Sequence, residues 1–309
     1  SPMNLGSGSH LYELDEDFGK LPDGRAYGYT HGVVEDAAGR IYIHNQSKSS
    51  FYIFDKEGKL LDSWGAAYAA GAHGLHLTKE KDGEYLYLST TNQRMVVKTT
   101  LDGKPVWTIS TPPRPDLYDS DGKIFQPTET AVAVKENRVF VADGYGQPYV
   151  HIYTLKGEYL KSFGGPGSGK GQLSNCHGVM IDTRGKEPLA LVSDRGNARL
   201  QYFTLDGEFV KITGVGVVLK PCTTLQFGEE IYIPDLYARV SVLDKNDKLI
   251  THLGEVREGW KLDAWPNIKH EWRKPGLFTS PHGLHVSGNG DIYLVEWISD
   301  GRVTRLNRV

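Results

Sequence analysis

A histidine followed by glycine and then an apolar residue recurs along the chain. The four copies begin at His31, His73, His177 and His282. Each is followed by a turn and a segment rich in β-branched and aromatic residues, so each occupies the same position of a repeat. Imidazoles at one repeat position predict a ring of nitrogen ligands for a divalent transition metal such as Zn, Fe, Mn, Ni or Co.

A single histidine of this kind would more often have a structural role, for example a hydrogen bond to the neighbouring repeat. Repetition at one position is what favours a metal site. His76 and His285 alternate with two of these histidines along the same strands, so we expect them to point away from the ring. Four histidines exceed the three ligands usual in a catalytic zinc site, which favours an ion with five or six coordination positions.

The third and fifth repeats lack the histidine. There the alignment places Glu129 or Thr128, and Thr223, at the ring position. Because two places in the ring have no imidazole, we expect the ion to be bound off-centre, with substrate on the side of Glu129 and Thr223.

Loops after the second strand of each repeat carry further titratable groups, and we expect these loops to form a polar rim above the ring. The candidates for catalysis are Tyr145, Arg195, Glu129, Arg239 and Glu296. The phenol or a carboxylate would transfer a proton, and an arginine would stabilise negative charge or hold a carboxylate. The alternatives are an aromatic stacking role for Tyr145 and turn capping for the acids Asp143, Asp194 and Asp235.

The chain around these residues repeats a unit of four short strands with turns of the Asp-x-x-Gly type. Six copies in phase predict an all-β, six-bladed β-propeller that forms a single domain over residues 1–309. The last copy has only three strands, and 12–18 has the composition to supply the fourth, which would close the ring. Residues 1–9 are predicted to be a start without regular structure, left by cloning or trimming. Two long linkers, 111–122 and 254–280, are expected to be functional.

These units resemble NHL-type repeats. Two segments are in addition similar to the catalytic domain of the peptidylglycine α-amidating lyases (peptidyl-hydroxyglycine lyases): 126–145, with its Asp143-Gly-Tyr145, and 172–201, with its Asp194-Arg195. The resemblance implies a six-bladed propeller with a catalytic zinc. It further implies His73, His177 and His282 as ligands, Tyr145 as the base and Arg195 as a substrate-binding arginine.

The sequence departs from that family at several places. His31 adds a ligand candidate that the family lacks. The aspartate that follows the last histidine in the family, a structural calcium ligand, is Gly283 here, which weakens the expectation of calcium. The methionine before that histidine is Ser280, and the substrate-clamping arginine of the first blade is replaced near His44. The scaffold and the metal site therefore carry over better than the peptide substrate.

The composition limits the classes of binding partner that the sequence predicts. The net charge of −3 disfavours nucleic acid, and no apolar stretch approaches the roughly 18–20 residues of a spanning helix. Cys176 and Cys222 are interpreted as small buried fillers at matching positions of adjacent repeats. An exported or periplasmic location and a cytoplasmic one both stay open, and the sequence predicts no oligomeric state.

The function predicted from these residues is that of a metal-dependent lyase or isomerase acting on a hydroxylated small molecule, such as a sugar or a hydroxy acid. A carbohydrate epimerase or isomerase that uses the same metal is the close alternative. A non-catalytic NHL-type binding propeller with a structural ion is the alternative from another class.

Overall fold

The computed structural model describes residues 3–119 and 121–309. The repeats fold as short antiparallel strands rich in β-branched and aromatic residues. Inner strands of a blade are buried on both faces, as Ile41–Asn45 and Phe51–Phe54 are. The first strands in the chain are β1 (Asn4–Ser7), β2 (His10–Asp15), β3 (Thr30–Glu35), β4 (Ile41–Asn45), β5 (Phe51–Phe54) and β6 (Leu60–Trp64). Strands β3 to β6 form the first four-stranded sheet in sequential order.

Three more sheets follow, each with four sequential strands. Their strands are β7 (Ala72–Glu80), β8 (Gly83–Thr90), β9 (Met95–Thr99), β10 (Pro105–Ile109); β11 (Glu129–Ala133), β12 (Arg138–Ala142), β13 (Tyr149–Tyr153), β14 (Tyr159–Gly164); β15 (Cys176–Asp182), β16 (Leu189–Asp194), β17 (Arg199–Thr204) and β18 (Phe209–Thr213).

The remaining strands form the fifth sheet and most of the sixth. They are β19 (Leu225–Phe227), β20 (Glu230–Asp235), β21 (Arg239–Leu243), β22 (Leu249–Leu253), β23 (Pro281–Val286), β24 (Ile292–Glu296) and β25 (Arg302–Arg308). Helices are few and short: α1 (Pro115–Tyr118) and the 3-10 turns Ala66–Gly71, Arg195–Asn197, Gly259–Lys261 and His270–Trp272. Among the described residues, no helix has the length and hydropathy needed to cross a bilayer.

The six sheets are the blades of a β-propeller, which confirms the predicted fold class. The sixth blade has the order β1-β2-β25-β24-β23. Strand β2 pairs with β25, for example Leu14 with Leu306, so the N-terminal segment supplies the missing strand as predicted.

The prediction of an irregular start was wrong for Asn4–Ser7, which pairs with β2 as a fifth strand. Ser7 pairs with His10 across a two-residue Gly-Ser loop, a combination that favours a hairpin. Leu5 is buried and belongs to a core cluster, which explains why the strand is held in place. Residues 1 and 2 lie outside the described residues.

The chain divides into two compact units. Unit 1 comprises Ser1–Ala69 and Val217–Val309, with the first, fifth and sixth blades; unit 2 is Ala70–Gly216, with the second, third and fourth. The single-domain assignment of 1–309 stays a prediction. Blades pack through large apolar side chains. In unit 2 the rings of Phe163 and Phe203 have centroids 4.6 Å apart, and in unit 1 Tyr232 and Leu294 belong to one buried cluster.

Turns between the third and fourth strands share one geometry. Asp55 accepts hydrogen bonds from the backbone N–H groups of Glu57 (3.0 Å) and Lys59 (2.9 Å), and Gly58 has a φ of 89°. This left-handed conformation favours glycine. Such local closure keeps the strands in phase, so equivalent residues of each blade occupy equivalent places.

Candidate functional site

Each ring histidine lies at a β-bulge between the first two strands of its blade. In the first blade Thr30 pairs with Asn45 and Gly32 with His44, and the pairing skips His31. The same shift occurs at His73, His177 and His282. All four histidines are buried. A bulge re-aims the side chain of the extra residue, so the sequence position common to the four is also a common backbone geometry.

The two histidines of unit 2 lie against each other. His73 Nδ1 donates to the Thr128 carbonyl oxygen at 2.7 Å, so the neutral form of this ring carries no hydrogen on Nε2. His73 Nε2 is 3.2 Å from His177 Nε2. Two nitrogens bound at about 2.1 Å to one ion, at tetrahedral or octahedral angles, lie about 2.9–3.4 Å apart. The pair thus has the spacing of two ligands of one ion, and the carbonyl fixes the ring orientation as the outer partners of metal-binding histidines do.

Unit 1 contains an equivalent pair. His282 Nδ1 donates to the carbonyl oxygen of His31 at 2.8 Å, so the neutral form of this ring also carries no hydrogen on Nε2. The two rings are perpendicular, with centroids 4.7 Å apart. The donor set in both units is imidazole nitrogen, which suits a divalent transition metal better than calcium.

Tyr145 and Arg195 lie beside the pair in unit 2. The Tyr145 hydroxyl is 3.1 Å from His177 Nε2 and 3.2 Å from Arg195 Nη2. The Tyr145 side chain is 40% exposed, so this hydroxyl borders solvent while the imidazoles behind it are buried. A guanidinium at this distance stabilises negative charge on the phenol oxygen or on a bound carboxylate. The structure thus brings Tyr145 and Arg195 together with two predicted metal ligands.

Asn175 is a residue of this site that the sequence did not single out. Its side-chain oxygen accepts from Arg195 Nε at 2.7 Å, and its side-chain nitrogen donates to the Gly144 carbonyl at 2.6 Å. It therefore ties the arginine to the turn that carries Tyr145. A Cβ at Gly144 would lie 2.3 Å from Thr128 Oγ1 and 2.8 Å from the Cys176 carbonyl oxygen, which explains the glycine of the Asp-Gly-Tyr turn.

Strand pairing corrects the ring position in the blades without histidine. Glu129 pairs with Ala142, as Gly32 pairs with His44, so Thr128 holds the ring position in the third blade. The Thr128 N–H donates to the Ala142 carbonyl at 2.9 Å, in agreement. Glu129 is the next residue along the strand.

In the fifth blade the ring position belongs to Cys222 rather than Thr223. Pro221 pairs with Asp235 as Pro281 pairs with Glu296, which aligns the cysteine with His282. The interpretation of Cys176 and Cys222 as matching residues was therefore wrong. Both thiols are buried and unbridged, but Cys176 aligns with the prolines. In the sequence, Pro221-Cys222 and Pro281-His282 share the preceding proline, and this pattern could have aligned Cys222 with His282.

Glu129 nevertheless lies next to β7, the strand of unit 2 that carries His73. Its Oε1 accepts from the backbone N–H of Thr130 at 3.0 Å and would lie 2.9 Å from a Cβ at Gly74. Burial raises the pKa of Glu129 to about 8. The carboxyl group is therefore mostly protonated at neutral pH, which suits it to donate a proton rather than to accept one.

A pH-dependent stability follows from Glu129. The folded pKa of Glu129 is raised above the ordinary value of 4.5. The contribution of the protonated carboxyl group to the free energy of unfolding is therefore full below about pH 4.5. It is lost as the pH rises through about 8, with a slope of at most about 1.4 kcal/mol per pH unit. Urea unfolding of the wild type and Glu129→Gln from pH 4 to 9 should give a difference curve that falls over this window. Glu136→Gln, at an exposed residue of the same blade, is the control. A flat difference curve for Glu129→Gln would contradict the assignment.

The other two predicted catalytic residues, both in unit 1, have internal partners. Glu296 is fully buried and accepts from Arg302 Nη2 at 2.9 Å and from the backbone N–H of Thr279 at 2.6 Å. Arg239 donates to Glu255 at 2.6 Å and to the Val217 carbonyl. These contacts hold the linkers that enter the blades, and they support structural roles.

The acids at the same position of other blades behave likewise. Asp143, Asp194 and Asp235 are fully buried and accept backbone N–H groups of the entering linker, for example Ser174 N to Asp194 at 2.8 Å. The prediction that they form a polar rim was wrong, and the alternative of turn caps is correct. In the loops after β12 and β16, Tyr145 is exposed and Arg195 is half-buried.

No family model matches the chain. Solved structures share its fold at low sequence identity. A streptogramin B lyase is 10% identical with a TM-score of 0.61, over 98% of this chain and 98% of that one. A catalytically inactive virginiamycin B lyase from Staphylococcus aureus, crystallised with quinupristin, is 13% identical with a TM-score of 0.58, over 97% and 88%. A putative gluconolactonase is 15% identical with a TM-score of 0.61, over 94% of both chains. At such identities the likeness shows the propeller fold alone. The similarity to the amidating lyases stays a prediction.

Proposed function

We propose that the chain is a metal-dependent lyase or isomerase that acts on a hydroxylated small molecule. One observation carries this proposal: His177 Nε2 lies 3.2 Å from His73 Nε2 and 3.1 Å from the Tyr145 hydroxyl. A pair of nitrogens with ligand spacing is thereby placed next to a group that can transfer a proton. Two of the solved structures with this fold are named as lyases, which supports the reaction class.

The proposed ligands are His31, His73, His177 and His282. A divalent ion bound there, of Zn, Fe, Mn, Ni or Co, would polarise a substrate oxygen and lower the pKa of an adjacent group. Two of the four histidines belong to each unit. If all four bind one ion, as the sequence predicts, the protein holds one ion per chain. Elemental analysis of the purified protein measures that ratio.

The chain's own residues supply proton transfer and orientation. Tyr145 would act as the phenolate, stabilised by Arg195 Nη2 at 3.2 Å, and would accept the proton from a substrate hydroxyl or from the carbon next to it, becoming the neutral phenol. Arg195, held by Asn175, binds a carboxylate or a developing negative charge of the substrate. Glu129 is the candidate for returning a proton, since burial raises its pKa to about 8.

A carbohydrate epimerase or isomerase is the second candidate, favoured by a shallow depression of the surface at Tyr145. The depression is open to solvent, has a volume of about 590 Å³ and is lined by uncharged groups that include Ser168, Ser174 and Asn197. Hydroxyl and amide side chains among glycines suit the hydroxyl groups of a sugar. A structure with this fold is named a putative gluconolactonase, which supports a sugar-derived substrate.

Turnover with solvent deuterium separates these candidates. Metal-loaded protein is incubated in D₂O with a panel of hydroxy acids and aldoses, and products are analysed by mass spectrometry. A lyase yields two fragments, whereas an epimerase or isomerase returns a product of unchanged formula that carries deuterium.

Tyr145→Phe should lower kcat by about 10²–10⁴-fold, and Tyr149→Phe, in the same blade, should not. Unchanged turnover in Tyr145→Phe would remove Tyr145 as the base. A metal-loaded protein without turnover of any kind supports the binding-propeller alternative.

A further inference from the structure

The long linker before the third blade delivers a side chain to the base of the Tyr145 turn. Its helix α1 ends at Tyr118, whose hydroxyl donates to Asp143 Oδ2 at 2.6 Å. Asp143 also accepts from the backbone N–H groups of Gln126 (2.7 Å) and Gln147 (2.8 Å). The carboxylate therefore closes the turn 143–147, on which Tyr145 lies, and ties it to the segment that enters β11 at Gln126.

The hydrogen bond from Tyr118 is the last of a chain that begins at a surface arginine. Arg114 Nη1 lies 3.2 Å from the Tyr159 hydroxyl, and this hydroxyl lies 2.7 Å from Ser162 Oγ. Ser162 Oγ is 2.6 Å from His151 Nδ1, and His151 Nε2 is 2.7 Å from the Tyr118 hydroxyl. These contacts form an unbroken path from Arg114 to Asp143.

The two ends fix the direction of every hydrogen in the path. A carboxylate only accepts and a guanidinium only donates. Because the single Tyr118 hydrogen goes to Asp143, His151 Nε2–H must donate to Tyr118, and its Nδ1 must accept from Ser162. Tyr159 then donates to Ser162 and accepts from Arg114. All the hydrogens point toward Asp143, and bonds aligned in this way polarise and strengthen one another.

Asp143 needs this support because its partner is a neutral group. The equivalent acid of the next blade, Asp194, is bonded by the guanidinium of Arg199 at 2.7 Å. Asp143 is instead bonded by the phenol of Tyr118. Burial raises the pKa of Asp143 to about 6 and lowers that of His151 to about 3, so His151 is neutral, as the hydrogen pattern requires.

We propose that Tyr118 and His151 are positioning residues for Tyr145. Their hydrogen bonds keep the Asp143 carboxylate in place, and the carboxylate holds the turn that sets the Tyr145 hydroxyl against His177. The proposal rests on the proposed function only in that Tyr145 is taken as the proton-transferring group. It assigns the linker 111–122 a defined role, which is to insert Tyr118 beneath that group.

The test is NMR of the full chain with ¹³C-labelled tyrosine, without substrate. The Tyr145 signal is identified by its loss in Tyr145→Phe. Tyr118→Phe and His151→Leu should each shift or split this signal, because the turn loses its support. His151→Gln should restore it, since Gln201, the equivalent residue of the next blade, donates to Asp194 at 3.0 Å. Tyr202→Phe, at a buried tyrosine of the next blade whose hydroxyl accepts from Arg184 instead, is the control and should leave the signal unchanged.

Two further outcomes decide the matter. With a substrate in hand, Tyr118→Phe should lower kcat about tenfold while KM changes less than twofold, as expected for a misplaced group. An unchanged Tyr145 signal in both folded variants would overturn the proposal. So would failure of His151→Gln to differ from His151→Leu. If Tyr145→Phe retains full turnover, the assignment of Tyr145 as the base fails instead, whereas the NMR result still reports whether the path positions Tyr145.

Discussion

Replacing His177 by alanine is expected to weaken metal binding by about 100-fold or more and to abolish turnover. Its Nε2 is 3.2 Å from His73 Nε2 and 3.1 Å from the Tyr145 hydroxyl, so the substitution removes a proposed ligand and the imidazole next to the base. Loss of even an outer partner of a ligand commonly costs 10–100-fold in affinity. The measurement is the metal content after dialysis against limiting chelator, with turnover measured on the same samples.

His76→Ala is the matched control. His76 lies three residues after His73 on β7, and burial lowers the pKa of His76 to about 4. The control therefore removes a neutral imidazole that lies on the strand of a proposed ligand but is not itself a proposed ligand. It should keep its metal. If His177→Ala binds metal as the wild type does, the ligand assignment is wrong. If metal is lost while turnover persists, the ion has a structural role.

The unit 1 histidines extend this experiment. His31→Ala and His282→Ala should each reduce the metal content to the same level as His177→Ala if one ion is bound per chain. A stoichiometry of two ions, of which each variant loses one, would contradict the prediction of a single centre. Cys222→Ser belongs in the same series, because strand pairing aligns Cys222 with His282.

The repeat could be predicted from the sequence because each blade carries its own local signals. The His-Gly motif, the turn and the alternating strand recur in phase, and these are interactions between residues close in the chain. The closing strand β2 could be predicted from what the last repeat lacked. Strand β1 was missed, since its Gly and Ser residues resemble a trimmed terminus, although Gly8-Ser9 is also a hairpin loop.

The ring positions without histidine could not be fixed to the residue. A β-bulge adds one residue to a strand, so the register of Thr128 against Glu129, or of Cys222 against Thr223, depends on which backbone groups pair. Motif spacing carries this information only where the histidine itself is present. The buried acids were misplaced for a similar reason. An acid after a strand has the same sequence pattern whether it points to solvent or caps the next linker, and only the position of the linker's N–H groups decides.

Removal of Arg302 is expected to give the largest loss of stability, about 3–5 kcal/mol, because it leaves a buried carboxylate without its counter-charge. Glu296 is fully buried and accepts from Arg302 Nη2 at 2.9 Å. Urea unfolding of Arg302→Met measures the effect. The control is Lys20→Met, at a highly exposed ion pair with Asp17, which should leave the urea midpoint nearly unchanged. The double variant Arg302→Met/Glu296→Gln should recover part of the loss, because the buried negative charge is gone.

A loss below about 1 kcal/mol in Arg302→Met would show that Glu296 does not depend on this partner. If Glu296→Gln alone keeps the stability of the wild type and lowers kcat, Glu296 acts in catalysis, as the sequence predicted, rather than as an anchor of the linker before β23.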